Sequence, residues 1–278
     1  MASEWCFDIP IDHRLKRFLV RPRIDSSADV GAHRMLYEDH GRSLQRSQSR
    51  SFPVSDPEID FGSWLARPDA RGGLVVALMQ PARSQRYSGS FEQIKRECAT
   101  LNYLDDALQG IGLVGLEDVT CIDALPFYLE SPKVKTAPPE MRAAYEVFLK
   151  MVRRKKPDVI LGAWQGPEAL GDVQYSSKGV GAVDDTRTVV VDGHPIKIVN
   201  AFHPSYAINY NPNESCFRQL FLLEMTKAFA ELDGNWKEEP WMQSLRANCV
   251  GRASTLARGR YSSSASINLA TLTSAPSN

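Results

Sequence analysis

Between about residues 72 and 232, short apolar runs alternate with longer stretches in which apolar positions recur at three and four residues. That alternation is the pattern of an α/β domain built on a largely parallel sheet. The run GLVVALM at 73–79 reads as its first strand. Phe91, Ile94, Cys98, Leu101, Leu104 and Leu108 then share one helical face, and Gly110 stands where such a helix would end. DVTCID at 118–123 is a second strand, and Met141, Tyr145, Phe148 and Val152 mark an amphipathic helix that starts near Pro139. The basic turn Arg153, Arg154, Lys155, Lys156 before Pro157 fits the end of that helix, where cations complement the dipole, better than a nuclear-localisation patch. A third strand, DVILGAW at 158–164, precedes two arms, RTVVV and PIKIVNAF, joined at Asp192-Gly193-His194; Asp-Gly is a strong hairpin signal. A last helix covers about 214–232. The expected architecture is a three-layer α/β/α sandwich around a mostly parallel four-stranded sheet.

Outside this domain the periodicity fades. Residues 1–71 read as an N-terminal extension, flexible over about 40–58, where RSLQRSQSR is polar and aperiodic and SFPVSDPEIDFG is broken by Pro53 and Pro57. Residues 233–278 read as a disordered tail. After Leu245 it carries Arg246, Arg252, Arg258 and Arg260 but no acid, and it ends in a serine-rich stretch. A solvated tail is the plain reading, and a phosphorylation substrate or phosphate-binding arm is the alternative.

Composition narrows the classes. Across 278 residues, Lys plus Arg and Asp plus Glu both number 33, so affinity for a polyanion must come from a local patch, and a histone-like binder is excluded. The five cysteines, Cys6, Cys98, Cys121, Cys216 and Cys249, are scattered without C-x-x-C spacing. That pattern points to a reducing compartment and against a disulfide framework, a structural zinc or an iron–sulfur cluster. No apolar run is long enough to span a membrane, and MASEWCFDIPIDHR has no apolar signal core. The expectation is a nuclear or cytoplasmic monomer, not secreted, without membrane, metal or cofactor.

Candidate chemistry lies at the strand ends, where open α/β sheets bind ligands. Met79-Gln80-Pro81-Ala82-Arg83 follows the first strand, Asp123 closes the second, and Phe202-His203-Pro204-Ser205-Tyr206 follows the hairpin. If these strands lie together, Gln80, Asp123 and His203 converge on one crevice. Asp184 and Asp185 lack a partner at metal-ligand spacing, and His194 sits in a turn.

The ordered set LMQPAR, VTCID, ILGAWQGPEA (with Trp164, Gly166 and Ala169) and AFHPSY resembles the motifs of the uracil-DNA glycosylase superfamily, over more than half of the chain. The resemblance implies a base-excision repair enzyme acting on DNA, double- or single-stranded, that carries a damaged base. Such an enzyme flips a uracil-type base into a pocket and hydrolyses its N-glycosidic bond. His203 then matches the donor to the base O2, with a structural turn histidine as its plain alternative. Ser205 matches a phosphate-contacting position; Pro81, which keeps the turn, and Arg83, which stands where the family has a histidine, are further candidates for holding a phosphate. Gln80 stands where the family has a catalytic aspartate or asparagine and could place a water. Asp123 stands where an asparagine reads the base; a carboxylate accepts but does not donate, and its plain alternative is a turn cap. Phe91 is a candidate for stacking on the base, or else the first core residue of its helix. Tyr206 or Ile208 would enter the DNA stack. Without a carboxylate at Gln80, the resemblance allows slow hydrolysis or binding of nucleic acid, nucleotide or a protein without hydrolysis.

Overall fold

The computed structural model describes residues 14–15, 18, 25–26, 30–46, 54–82, 85–127, 139–166, 170, 175–176, 179–183 and 186–272. In chain order the elements are β1 (Asp25–Ser26), α1 (Val30–Arg46), α2 (Asp56–Leu65), β2 (Ala70–Arg71), β3 (Leu74–Leu78), α3 (Phe91–Glu97) and α4 (Ala99–Gly110). There follow β4 (Thr120–Asp123), α5 (Pro139–Lys155), β5 (Val159–Gly162), β6 (Thr186–Val191), β7 (His194–Asn200), α6 (Ser215–Leu232) and α7 (Pro240–Leu272). The main sheet has five strands in the order β4-β3-β5-β7-β6. The pairs β3–β4, β3–β5 and β5–β7 are parallel, and β6 pairs antiparallel with β7. The sheet is therefore mixed and five-stranded, not four-stranded, because the first hairpin arm joins it as an edge strand. The Asp192-Gly193 turn has positive φ at both residues, 50° and 78°, as its sequence predicts.

Every residue of β3 and β5 is buried, which accounts for their unbroken apolar runs, whereas the edge strand β6 alternates exposed and half-buried positions. Leu74, Val76 and Leu78 pack with α3, α4, α6 and α7 on one face, and Val75 and Ala77 pack with α1 and α5 on the other. Helix α2 crosses the strand ends, giving Phe61 to the first cluster and Ile59 to the second.

Three expectations need correction. Part of the segment read as flexible is helical. The buried face of α1 is His33, Tyr37, His40, Gly41 and Leu44, a helical stripe hidden in the sequence by two histidines and a glycine. Gly41 is needed there, since a Cβ would meet Ile59 of α2 at 2.5 Å. The start of α2 is capped by Ser55, whose Oγ accepts from the Glu58 N–H at 3.3 Å, and Pro57 occupies the first turn, where its missing N–H costs nothing. Second, the helix expected from Phe91 onward is two, broken at Cys98, whose extended backbone caps α4. Third, the C-terminal segment read as disordered forms α7, with Met242, Leu245 and Cys249 buried. Arg246 fastens it: its Nε donates to buried Glu224 at 2.7 Å, and its other arm meets Glu238. No helix among the described residues is long and apolar enough to cross a membrane.

Candidate active site

Because β3, β4, β5 and β7 run parallel, their carboxyl ends face the same side of the sheet. Gln80 follows β3 by two residues, Asp123 ends β4, and His203 follows β7 by three. Between them β5 ends in Gly162 and is followed by Ala163, both too small to fill the space. Gln80, Pro81, Asp123 and His203 line one pocket, roofed by Glu58, Phe61 and Gly62 of α2 and walled by Tyr37, Tyr87 and Phe127. Its cavity volume is about 80 Å³, several times what a single water needs. The connection leaving β3 runs to β4 and the one leaving β5 runs toward β7 on the opposite side, so the topological switch point of the sheet falls between β3 and β5, beside the pocket.

The His203 ring is fixed from one side. Its Nδ1 lies 2.7 Å from Ser205 Oγ and accepts the Ser205 backbone N–H at 3.2 Å. A backbone N–H can only donate, so Nδ1 is the acceptor and Nε2 carries the hydrogen of the neutral ring. Burial lowers the His203 pKa to about 4, which keeps it neutral at physiological pH. His203 is thus a neutral donor. Gln80 Oε1 is buried without a hydrogen-bond partner among the described residues, an orphaned acceptor of the kind that a water or ligand donor satisfies. Burial, reinforced by the Glu58 carboxylate, raises the Asp123 pKa to about 7. Burial likewise holds the phenols of Tyr37 and Tyr87 well above their ordinary value, so both stay protonated. Cys98, raised by the same cause, also lines the pocket.

Some expected site residues lie elsewhere. Phe91 does not reach the pocket: it packs at 5.7 Å from Phe61 and 5.3 Å from Trp64, in a separate groove with Arg34 and Arg67. Its role is that of the first apolar residue of its helix. Tyr206 and Ile208 pack against the core, Tyr206 edge-on to Phe217 at 4.9 Å, so neither projects as a wedge. The exposed aromatic residue of that turn is Tyr210. The Ser205 hydroxyl is engaged with His203 instead of facing outward to a phosphate. Arg83, Ala169, Asp184 and Asp185 lie outside the described residues. Trp164 is fully buried, its Nε1 donating to the Tyr175 carbonyl at 3.0 Å.

The residues that sequence reasoning missed are Glu58, Tyr37, Tyr87 and Phe127. Ser55-x-x-Glu58 before an apolar run was the available signal for the first. Phe127 is buried at φ 69°, a left-handed conformation that a bulky side chain adopts only when its surroundings enforce it. The pocket also meets a second groove through Ala82, Gln85, Cys98 and Thr100, and that groove adds the polar side chains of Arg86, Glu97 and Asn209.

Fold and site together define an α/β protein with an apolar pocket, ringed by a few polar groups, at the ends of its parallel strands. Compared with known proteins, the chain matches no family model and no curated protein.

Proposed function

We propose that the protein is a DNA glycosylase of the uracil-DNA glycosylase type, which takes a damaged or deaminated base into this pocket and hydrolyses its N-glycosidic bond. The observation that carries the reading is the convergence of Gln80, Asp123 and His203, from three strand ends, on one pocket. The aromatic walls Tyr37, Tyr87 and Phe127 suit a planar ring.

As the glycosidic bond stretches, negative charge moves onto the base and positive charge onto the sugar. The His203 Nε2–H donates to the base O2, where that charge collects, and a neutral donor serves here without itself surrendering a proton. Gln80 accepts a hydrogen bond from the attacking water through Oε1 and aims it at the anomeric carbon; the water loses its proton to solvent after the carbon–oxygen bond forms. A carboxamide supplies no negative charge to the sugar, so turnover is slow and favours bases that leave readily. The adjoining groove with Arg86 takes the strand that flanks the flipped nucleotide.

The neutral amide at Gln80 favours a second reading, in which the same pocket holds a base without hydrolysing it. Single-turnover cleavage of oligonucleotides containing one uracil, hypoxanthine, xanthine or 5-hydroxymethyluracil separates the two. The first reading expects abasic product from at least one substrate and about a 10²–10³-fold loss of rate in His203→Ala. No product from any substrate, with binding retained, leaves the second.

A further inference from the structure

We propose that Cys216 and Cys249 form a peroxide-responsive thiol pair, whose disulfide fastens the C-terminal helix α7 to α6. Neither cysteine lines the base pocket, so the proposal stands apart from the reading above.

Cys216 sits in the first turn of α6 and Cys249 on the buried side of α7, thirty-three residues further on. They meet where the two helices pack: Cys249 Sγ donates to the Cys216 carbonyl at 3.3 Å. Ion pairs hold the helices together on both sides of that contact. Three residues before Cys249, Arg246 Nε donates to Glu224 of α6 at 2.7 Å. Three residues after it, Arg252 grips Glu214, which caps α6, through Nε at 2.9 Å and Nη2 at 2.5 Å. Residues three apart share a helical face. Helix α7 therefore presents Arg246, Cys249 and Arg252 to α6 as one stripe, and the thiol at its centre is held against Cys216.

The two thiols are unequal. Cys249 is fully buried, whereas Cys216 is half-buried and keeps contact with solvent. A hydrogen bond from Cys249, then the Phe217 backbone N–H and the Arg252 charge, hold the Cys216 thiol below its ordinary value against burial and the Glu214 charge. The same hydrogen bond and burial push the Cys249 thiol up. Burial also raises Cys98 and Cys121. Of the four described cysteines, Cys216 carries the most thiolate, the form that reacts.

The chemistry balances with a hydroperoxide as co-reactant. The Cys216 thiolate attacks a peroxide oxygen: an S–O bond forms, the O–O bond breaks, and the departing alkoxide or hydroxide takes a proton from water. Cys216 is then a sulfenic acid. The Cys249 sulfur attacks the Cys216 sulfur; the S–S bond forms, the S–O bond breaks, and hydroxide leaves with the Cys249 proton as water. The two sulfurs together give up two electrons, which the peroxide takes. The disulfide adds a covalent tie between the two ion pairs.

The test uses the full chain, first reduced and then treated with one equivalent of hydrogen peroxide. Non-reducing peptide mapping is expected to find Cys216 cross-linked to Cys249, two hydrogens lighter than the free peptides and reversed by dithiothreitol. In Cys249→Ser, dimedone is expected to label Cys216 as the sulfenic acid. Oxidised wild type should unfold at a urea concentration about 1 M higher than the reduced protein, a gain absent from Cys249→Ser. No cross-link, a cross-link between other cysteines in its place, or oxidation of Cys216 that stops short of the disulfide overturns the proposal. A folded Cys249→Ser that dimedone does not label at Cys216, or a wild-type midpoint that the disulfide leaves unchanged or lowers, overturns it as well. The wild-type map and midpoint need no variant, so they decide the question even if Cys249→Ser fails to fold.

Discussion

Replacing Asp123 with asparagine should stabilise the protein, and by an amount that depends on pH. The carboxyl has an ordinary pKa of 3.8 and is raised to about 7 in the folded chain, chiefly by burial and then by Glu58. At about 1.4 kcal/mol per tenfold, ionising it in the folded state is about 4 kcal/mol harder than in the unfolded chain, an upper bound because water enters the pocket. The sign follows from which state holds the proton. Below pH 3.8 both states are protonated and the group is neutral to folding. Between 3.8 and about 7 the unfolded chain releases its proton while the folded chain keeps it, so stability falls as pH rises. Above about 7 the loss is constant. Asparagine carries no such proton, so Asp123→Asn should exceed wild type by about 2–4 kcal/mol at pH 8, an advantage about 2–3 kcal/mol smaller at pH 5. For a chain of this size the pH 8 difference corresponds to a Tm gain of roughly 5–15 °C. Urea unfolding of both proteins at pH 5, 6, 7 and 8, at constant ionic strength, isolates the group, because other titrations cancel in the difference. A stability difference that stays flat over that range, or a less stable variant at pH 8, would refute the reasoning.

Other expectations follow from the same structure. Arg246→Ala removes the cation hydrogen-bonded to buried Glu224, leaving only the more distant charge of Lys227, and should cost about 3–5 kcal/mol at pH 8; the loss should shrink toward pH 5 as Glu224, already raised to about 7 by burial, takes a proton, which urea titration at both pH values will read. Ser55→Ala removes the cap of α2 and should cost about 1 kcal/mol in the same assay. Tyr87→Ala removes an aromatic wall of the pocket and should weaken 2′-deoxyuridine binding about 5–100-fold, by analogy with base stacking on aromatic side chains. Phe91→Ala, outside the pocket, should leave that binding within about twofold; an equal loss in both variants would show that the aromatic assignment is wrong.

The central sheet was legible because its strands obey simple rules: LVVAL and VILG are buried on both faces and contain nothing polar to disguise them. The strand ends were legible for the same reason, since the register that buries Val76 and Ile122 also delivers Gln80 and Asp123 to one side. Helix α1 was not, because its buried stripe is built from two histidines, a tyrosine, a glycine and a leucine, and such a stripe has little apolar contrast. Arg246 hid α7 in a similar way: a cation inside a basic tail gives no hint that Glu224, more than twenty residues earlier, will receive it. The pocket was half visible. Its floor comes from strand ends that the pattern locates, whereas its roof comes from α2, whose approach depends on close contacts such as Gly41 against Ile59. Glu58 therefore gives no sign in the sequence of its place in the pocket, and the family resemblance leaves Phe91 open between the pocket and the helix core because spacing along a helix does not tell which side of α2 that helix will face.

The most direct test of the account is the structure of the protein bound to an oligonucleotide carrying 2′-fluoro-2′-deoxyuridine, in which fluorine disfavours the oxocarbenium state and holds the glycosidic bond intact. The account predicts the uracil ring turned out of the strand and seated in the pocket, with O2 within about 3 Å of His203 Nε2 and the N3 edge on Asp123. A base left stacked in the DNA with this pocket untouched, or one seated in a different cavity, would contradict it.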